Sequence, residues 1–279
     1  MPLSELRTLV DGLVFAEGPR WRHDRLWFSD MFGEAVLTVA PDGRVETAVA
    51  LPGRKPSGLG WLPDGTLLIV SMEEPAVLRV DDGVVSVHAR LDHLVDCECN
   101  DMVVDARGNA YVGTYPNPAT APGPLLLVRP DGSAEVAAAD LRFCNGTVIS
   151  PDGTSLVIGE SIGQCLTEFT VAADGTLHDR RTFAVTDGAG PDGICLDVEG
   201  AVWAALPMAR EFRRIAPGGE VLDRVEVPGR RAIACTLGGP ELRTLFLISS
   251  LAFPGPDLAG TRDARIDVVE VSVPGTGSP

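Results

Sequence analysis

The chain has 279 residues, of which 45% are apolar and 22% charged, an ordinary balance for a soluble globular protein with enough length for a full core. Its 39 acidic against 23 basic side chains leave a net charge of −16. A surface of that sign repels nucleic acid and anionic lipid, whose phosphates require clustered Lys and Arg. The opening MPLSELRTLV lacks the basic and apolar regions of a secretion signal, and no apolar run approaches the roughly 18 to 20 residues of a membrane span. The expected location is therefore the cytoplasm.

Taken in chain order, the predicted elements repeat one phrase: a polar residue, an alternating apolar run, a turn, and a second apolar run. Residues 17–28 read EGPRWRHDRLWF and open the series. SGLGWLPDGTLLIV follows at 57–70, NDMVVDARGNAYV at 100–112, NGTVISPDGTSLVI at 145–158 and DGICLDVEGAVWA at 192–204. RAIACTLGGPELRTLFL at 231–247 closes it. Successive copies start 40, 43, 45, 47 and 39 residues apart. That period, with short strands and D-G or G-G turns near residues 41–43, 130–132 and 174–175, is the spacing of propeller blades. No window carries a helical apolar stripe. The fold class predicted is all-β: a six-bladed β-propeller with four-stranded antiparallel blades, forming one domain over residues 1–279. Residues 265–273, RIDVVEVSV, form an alternating strand that should share a blade with residues 6–10 and close the ring. Residues 275–279 read as a frayed tail.

The six cysteines include one close pair, Cys97 and Cys99, and a single C-x-C is a poor zinc signal. Scattered cysteines of this kind serve as small buried hydrophobes.

The first residues of the six copies are Glu17, Ser57, Asn100, Asn145, Asp192 and Arg231, all polar at the heads of strands that line a propeller's channel. Two carboxylates facing one channel repel each other and are costly to desolvate, and a divalent cation removes both penalties. Carboxylates with amide oxygens form a hard, oxygen-only donor set suited to calcium, magnesium or manganese. His23, His88, His93 and His178 fall in turns or outer strands, so zinc or iron(II) is not demanded. Periodicity by itself fits equally well a water-filled channel lined with polar groups.

These phrases, in order and in register over essentially the whole chain, resemble the family of senescence marker protein 30, gluconolactonase and luciferin-regenerating enzyme. The resemblance rests on EGPRW at 17–21, SGLGWLPDGTLLIVS at 57–71, CNDMVVDARGNAYVGT at 99–114, NGTVISPDGTSLVIGES at 145–161, PDGICLDVEGAVWAA at 191–205 and ACTLGG at 234–239. It implies one divalent metal ion, calcium first and zinc, manganese, magnesium or iron(II) as alternatives, held by Glu17, Asn145 and Asp192. It implies a metal-dependent lactonase acting on a small lactone or ester, with Asn100 contacting substrate or water. Such a cation polarises the carbonyl and acidifies a water, and Asp192 is the candidate general base or else a ligand alone.

The pattern departs at Glu98, where sugar-lactone members carry an arginine; a carboxylate there disfavours anionic substrates. The Pro-rich stretch YPNPATAPGP at 115–124 is a specificity loop, with Tyr115 and Asn117 as candidate substrate contacts. Met31, Phe143, Met208 and the loop around Phe253 are candidate apolar walls. Other readings are a different reaction at the same centre, such as phosphotriester hydrolysis, or a non-catalytic binding propeller. Nothing in the sequence argues for assembly, so a monomer is expected, with no nucleic-acid or membrane partner.

Overall fold

The computed structural model describes residues 5–253, 258 and 260–277. The described residues form strands and turns, and none of their helices is long and apolar enough to cross a membrane. Twenty-four strands build six four-stranded antiparallel sheets. The first blade is β2 (Ala16–Arg22), β3 (Arg25–Asp30), β4 (Ala35–Val39) and β5 (Val45–Ala50). The second is β6 (Pro56–Trp61), β7 (Leu67–Ser71), β8 (Ala76–Asp81) and β9 (Val84–Arg90). The third holds β10 (Glu98–Val104), β11 (Ala110–Tyr115), β12 (Gly123–Val128) and β13 (Ala134–Leu141). The fourth holds β14 (Cys144–Ile149), β15 (Ser155–Glu160), β16 (Cys165–Val171) and β17 (Leu177–Val185). The fifth is β18 (Ile194–Leu196), β19 (Val202–Leu206), β20 (Glu211–Ile215) and β21 (Val221–Glu226).

The sixth blade joins the two ends of the chain. Its order is β1-β24-β23-β22, with β22 (Arg231–Gly238), β23 (Thr244–Ser250), β24 (Ala264–Glu270) and β1 (Arg7–Leu13). Arg7 pairs with Val268 and Leu13 with Ala264, and Thr8 Oγ1 donates to Asp267 Oδ1 at 2.7 Å. This is the seam expected from the alternating C-terminal strand, and it covers the β24 edge that would otherwise invite pairing with another chain. The tail expected to fray from 275 is held at its first residue, because Gly275 bridges Asp197 and its N–H donates to the Leu242 carbonyl. Residues 278–279 lie outside the described residues.

Burial follows strand position. The second strands, such as β7 (LLIVS) and β19 (VWAAL), are buried throughout, whereas β5 (VETAVA) at a blade's outer rim is largely exposed. The core runs between blades: Leu68, Val70 and Val77 of the second pack with Met102, Val112 and Leu126 of the third. The turn glycines 43, 132 and 175 have φ of 87°, 84° and 86°, the left-handed conformation that D-G turns require. Four cysteines are buried and all six are free thiols, in keeping with their reading as small hydrophobes.

Inner strands of adjacent blades approach each other through backbone. A Cβ on Gly58 would lie 2.2 Å from the Met102 nitrogen, and one on Gly146 would lie 2.4 Å from the Ile194 nitrogen. Each glycine follows a first-position residue, so the site residue and the contact that places it are adjacent in sequence. Gly58→Ala is expected to destabilise the protein by roughly 1–3 kcal/mol through overpacking against backbone that cannot yield. A urea midpoint equal to that of the parent chain would show that the contact does not constrain the ring.

Candidate functional site

The site is made at the heads of the inner strands. Glu17, Ser57 and Asn145 are each the second residue of their strand, Asn100 is the third of β10, Arg231 opens β22, and Asp192 stands just before β18. Pairing with the second strand shifts register immediately afterwards: between Glu17 and Arg20, Cys99 and Met102, and Cys144 and Thr147. A bulge at that point lets a residue leave the pleat and turn toward the axis.

Glu17, Asn100, Asn145 and Asp192 thereby meet at the floor of one cavity of about 690 Å³, with Glu98 and Tyr115 on its wall. Glu17 is 9% exposed, Asn100 7% and Asn145 6%. Asn145 Nδ2 donates to Ser161 Oγ at 3.2 Å, and its amide also hydrogen-bonds the Asp192 carboxyl. Ser161 Oγ in turn donates to the Pro191 carbonyl at 2.7 Å. Asn100 Nδ2 donates to the Cys144 carbonyl at 3.3 Å and its Oδ1 accepts from Ser57 Oγ at 3.4 Å. Both ends of that amide are anchored, yet one N–H and one lone pair remain for the cavity.

Two first-position residues take other roles. Ser57 is buried behind Asn100 and does not line the cavity. Arg231 swings outward, its guanidinium 3.9 Å over the Phe253 ring and its Nη1 3.5 Å from the Met208 sulfur. Asn117 is separate from the central group: it lines a neighbouring groove that shares only Glu98 and Tyr115 with the cavity. The Pro-rich stretch turns away immediately after Tyr115, which is why the two loop residues face different spaces.

Electrostatics single out the two carboxyls. Burial pushes Asp192 up to about 8, and the neighbouring Asp101 carboxylate adds to the shift, against hydrogen bonds from Asn145 and the Gly193 backbone. Glu17 is raised well above the usual carboxylate range by burial first, then by Asp192 and Asp101. Among the described residues, no Lys or Arg forms an ion pair with Glu17 or Asp192. The nearby Arg20 is committed to Asp101 at 2.9 Å, both side chains under a tenth exposed, and to the carbonyls of Pro19, Leu59 and Met102. Sequence reading passed over this pair because Asp101 occupies the place that glycine takes in four other copies.

Two carboxyls without an ion-paired Lys or Arg, one buried and one partly buried, beside an amide oxygen suit a hard divalent cation better than a soft-ligand metal. No three His, Cys, Asp or Glu side chains converge into a metal-binding group among the described residues. A cation here would therefore rest on Glu17 and Asp192 completed by neutral oxygen such as that of Asn145. Further cavity residues escaped sequence reading, among them Phe32, Lys55, Met72, Ile162 and Gln164. Each sits in or beside a turn, where a single residue carries no periodic signal.

Comparison with known proteins places this geometry in context. Residues 15–251 match the model of the SMP-30/Gluconolactonase/LRE-like region. The chain is 34% identical to the 6-deoxy-6-sulfogluconolactonase of Pseudomonas putida over 252 residues, 85% of this chain and 84% of that one. It is 28% identical to the pentonolactonase XacC of Haloferax volcanii, across 99% of this chain and 97% of the other. The crystal structure of a calcium-binding protein, regucalcin, from Agrobacterium tumefaciens superposes with a TM-score of 0.84 at 24% identity, covering 99% and 96% of the two chains, a likeness of fold. The chain belongs to the SMP-30/gluconolactonase/LRE-like family.

Proposed function

We propose that this protein is a divalent-cation-dependent lactonase whose centre is Glu17, Asn145 and Asp192. The observation that carries the reading is the pair of facing carboxyls, Glu17 buried and Asp192 partly buried, with raised pKa and no ion-paired Lys or Arg, at the floor of a substrate-sized cavity. The names of its relatives, a sulfogluconolactonase and a pentonolactonase, support the reaction class.

A bound divalent cation supplies Lewis acidity at the lactone carbonyl, acidifies a water and returns the two carboxyls to their ionised forms. Asp192 is only partly buried, so its carboxylate borders both the centre and the open cavity. There it takes a proton from the attacking water as the new C–O bond forms. It returns that proton to the ring oxygen as the old C–O bond breaks, which yields the hydroxy acid. Asn145 holds Asp192 in place through its amide, itself held by Ser161. Asn100 offers its remaining N–H to substrate or water. Glu98 presents a carboxylate on the wall and Tyr115 an aromatic face, while Asn117 acts at most through the adjoining groove.

The deciding experiment is hydrolysis of neutral sugar lactones and simple lactones by chelator-stripped protein, with calcium, magnesium, manganese, zinc and iron(II) restored singly. Activity is expected to vanish on stripping and to return with cation; Asp192→Ala should lower it by roughly 10²-fold or more without unfolding the chain. Stripped protein that keeps full turnover would remove the cation from the mechanism. At the wall, Glu98→Arg is expected to raise the preference for anionic over neutral lactones by roughly tenfold, about 1.4 kcal/mol. An unchanged preference would mean that Glu98 does not face the substrate.

A further inference from the structure

The mouth of the cavity carries a pattern that lactone opening itself does not require. Each blade brings an apolar side chain to the cavity at or just beyond the end of its second strand: Met31 and Met72, which are buried, and Tyr115, Ile162, Met208 and Phe253, which are exposed; the first blade adds Phe32 beside Met31. In the first five blades this residue follows the first-position residue by 14 to 17 positions, so the ring is a second repeat superimposed on the polar one. Four of the six are conspicuously exposed: Tyr115 37%, Ile162 37%, Met208 66% and Phe253 43%. Every exposed Met or aromatic side chain among the large hydrophobics of the described residues belongs to this ring. Elsewhere the exposed ones are Val or Leu. A surface that confines its large soft side chains to one rim is built to cover an apolar ligand.

The rim is also braced. Phe143 has φ 65°, a backbone conformation costly for a bulky residue, and its ring stacks on Tyr115 with centroids 4.5 Å apart. Arg231 lies over Phe253. The lysine of the cavity lining is engaged, since Lys55 Nζ pairs with Glu73 at 2.5 Å and rests 5.3 Å over the Phe32 ring. The hydroxyl of Ser161 donates to the protein and the Asn100 amide is anchored at both ends. Glu98 and Gln164 remain as the polar side chains of the lining outside these contacts.

We infer that the preferred substrate, on the lactonase reading given above, is a lactone bearing an extended apolar substituent. The ring of the lactone lies at the polar floor and the substituent runs along the exposed Tyr115–Ile162–Met208 side of the rim, contributed by three consecutive blades. This differs from the sugar acids for which the relatives are named, and it is consistent with Glu98 disfavouring anions.

The test uses cation-loaded protein and a series of γ-lactones with alkyl chains of zero to six carbons, beside a neutral sugar lactone. We expect kcat/KM to rise at least about tenfold along the series, mainly through KM, and to exceed that of the sugar lactone. The double variant Ile162→Ser, Met208→Ser, at two exposed rim positions, should compress the ratio between the longest and shortest members by roughly tenfold. In parallel, calorimetry with the corresponding alkylated γ-lactams, which resist hydrolysis, should show Kd tightening with chain length. Lactone turnover with no chain-length dependence, or with the sugar lactone preferred, would overturn the inference and leave the lactonase reading standing. Chain-dependent lactam binding without turnover of any lactone would support the apolar ligand class and sink the reaction. Neither binding nor turnover would remove both.

Discussion

The backbone contact between neighbouring inner strands is the constraint on which the site depends. At Gly58 and Gly146 there is no room for a Cβ between one blade and the next. Blades packed this closely leave a narrow axis: Asn145, before the Gly146 contact, projects into it, and Ser57, before the Gly58 contact, backs Asn100. The bulges after Glu17, Cys99 and Cys144 complete the turn. The floor of the cavity is thus set by the packing of the ring, rather than by mobile loops, and holds its donors with little conformational cost.

Placing carboxyls at such a point has an electrostatic consequence. Burial raises both carboxyls, and among the described residues the one buried arginine in the inner ring, Arg20, is bound to Asp101 instead of to Glu17 or Asp192. Breaking a buried pair like Arg20–Asp101 costs about 3–5 kcal/mol, so Arg20 is not free to move across. The Asp101 charge still acts on both carboxyls and raises them further. Below pH about 8 the cation-free Asp192 is held mainly in its neutral form, and cation binding must displace that proton.

Much of this was legible in the sequence. A 39- to 47-residue period with D-G turns specifies six blades, and the alternating strand at 265–273 finds its partner in β1. Glu17, Asn100, Asn145 and Asp192 stood out because each heads an apolar strand, and they share one cavity. What stayed hidden depends on side-chain reach. Arg231 occupies an equivalent position, but its length lets it leave the axis for Phe253. Asn117 is two residues from Tyr115, and the chain turns between them. The apolar rim has a repeat of its own, but one residue per blade inside a turn has no neighbours to make a pattern. Asp101 was masked by standing where four of the other five copies carry glycine.

The central claim is that Glu17 and Asp192 form one cation centre whose carboxyls are held protonated until a cation arrives. Calorimetric titration of chelator-stripped protein with calcium at pH 7, in two buffers of different ionisation enthalpy, addresses it directly. The account predicts one cation per chain, release of about two protons on binding, and tighter binding as pH rises toward 8. Glu17→Gln and Asp192→Asn should each weaken binding and each reduce the proton release. Binding without proton release, or binding unaffected by either substitution, would contradict it.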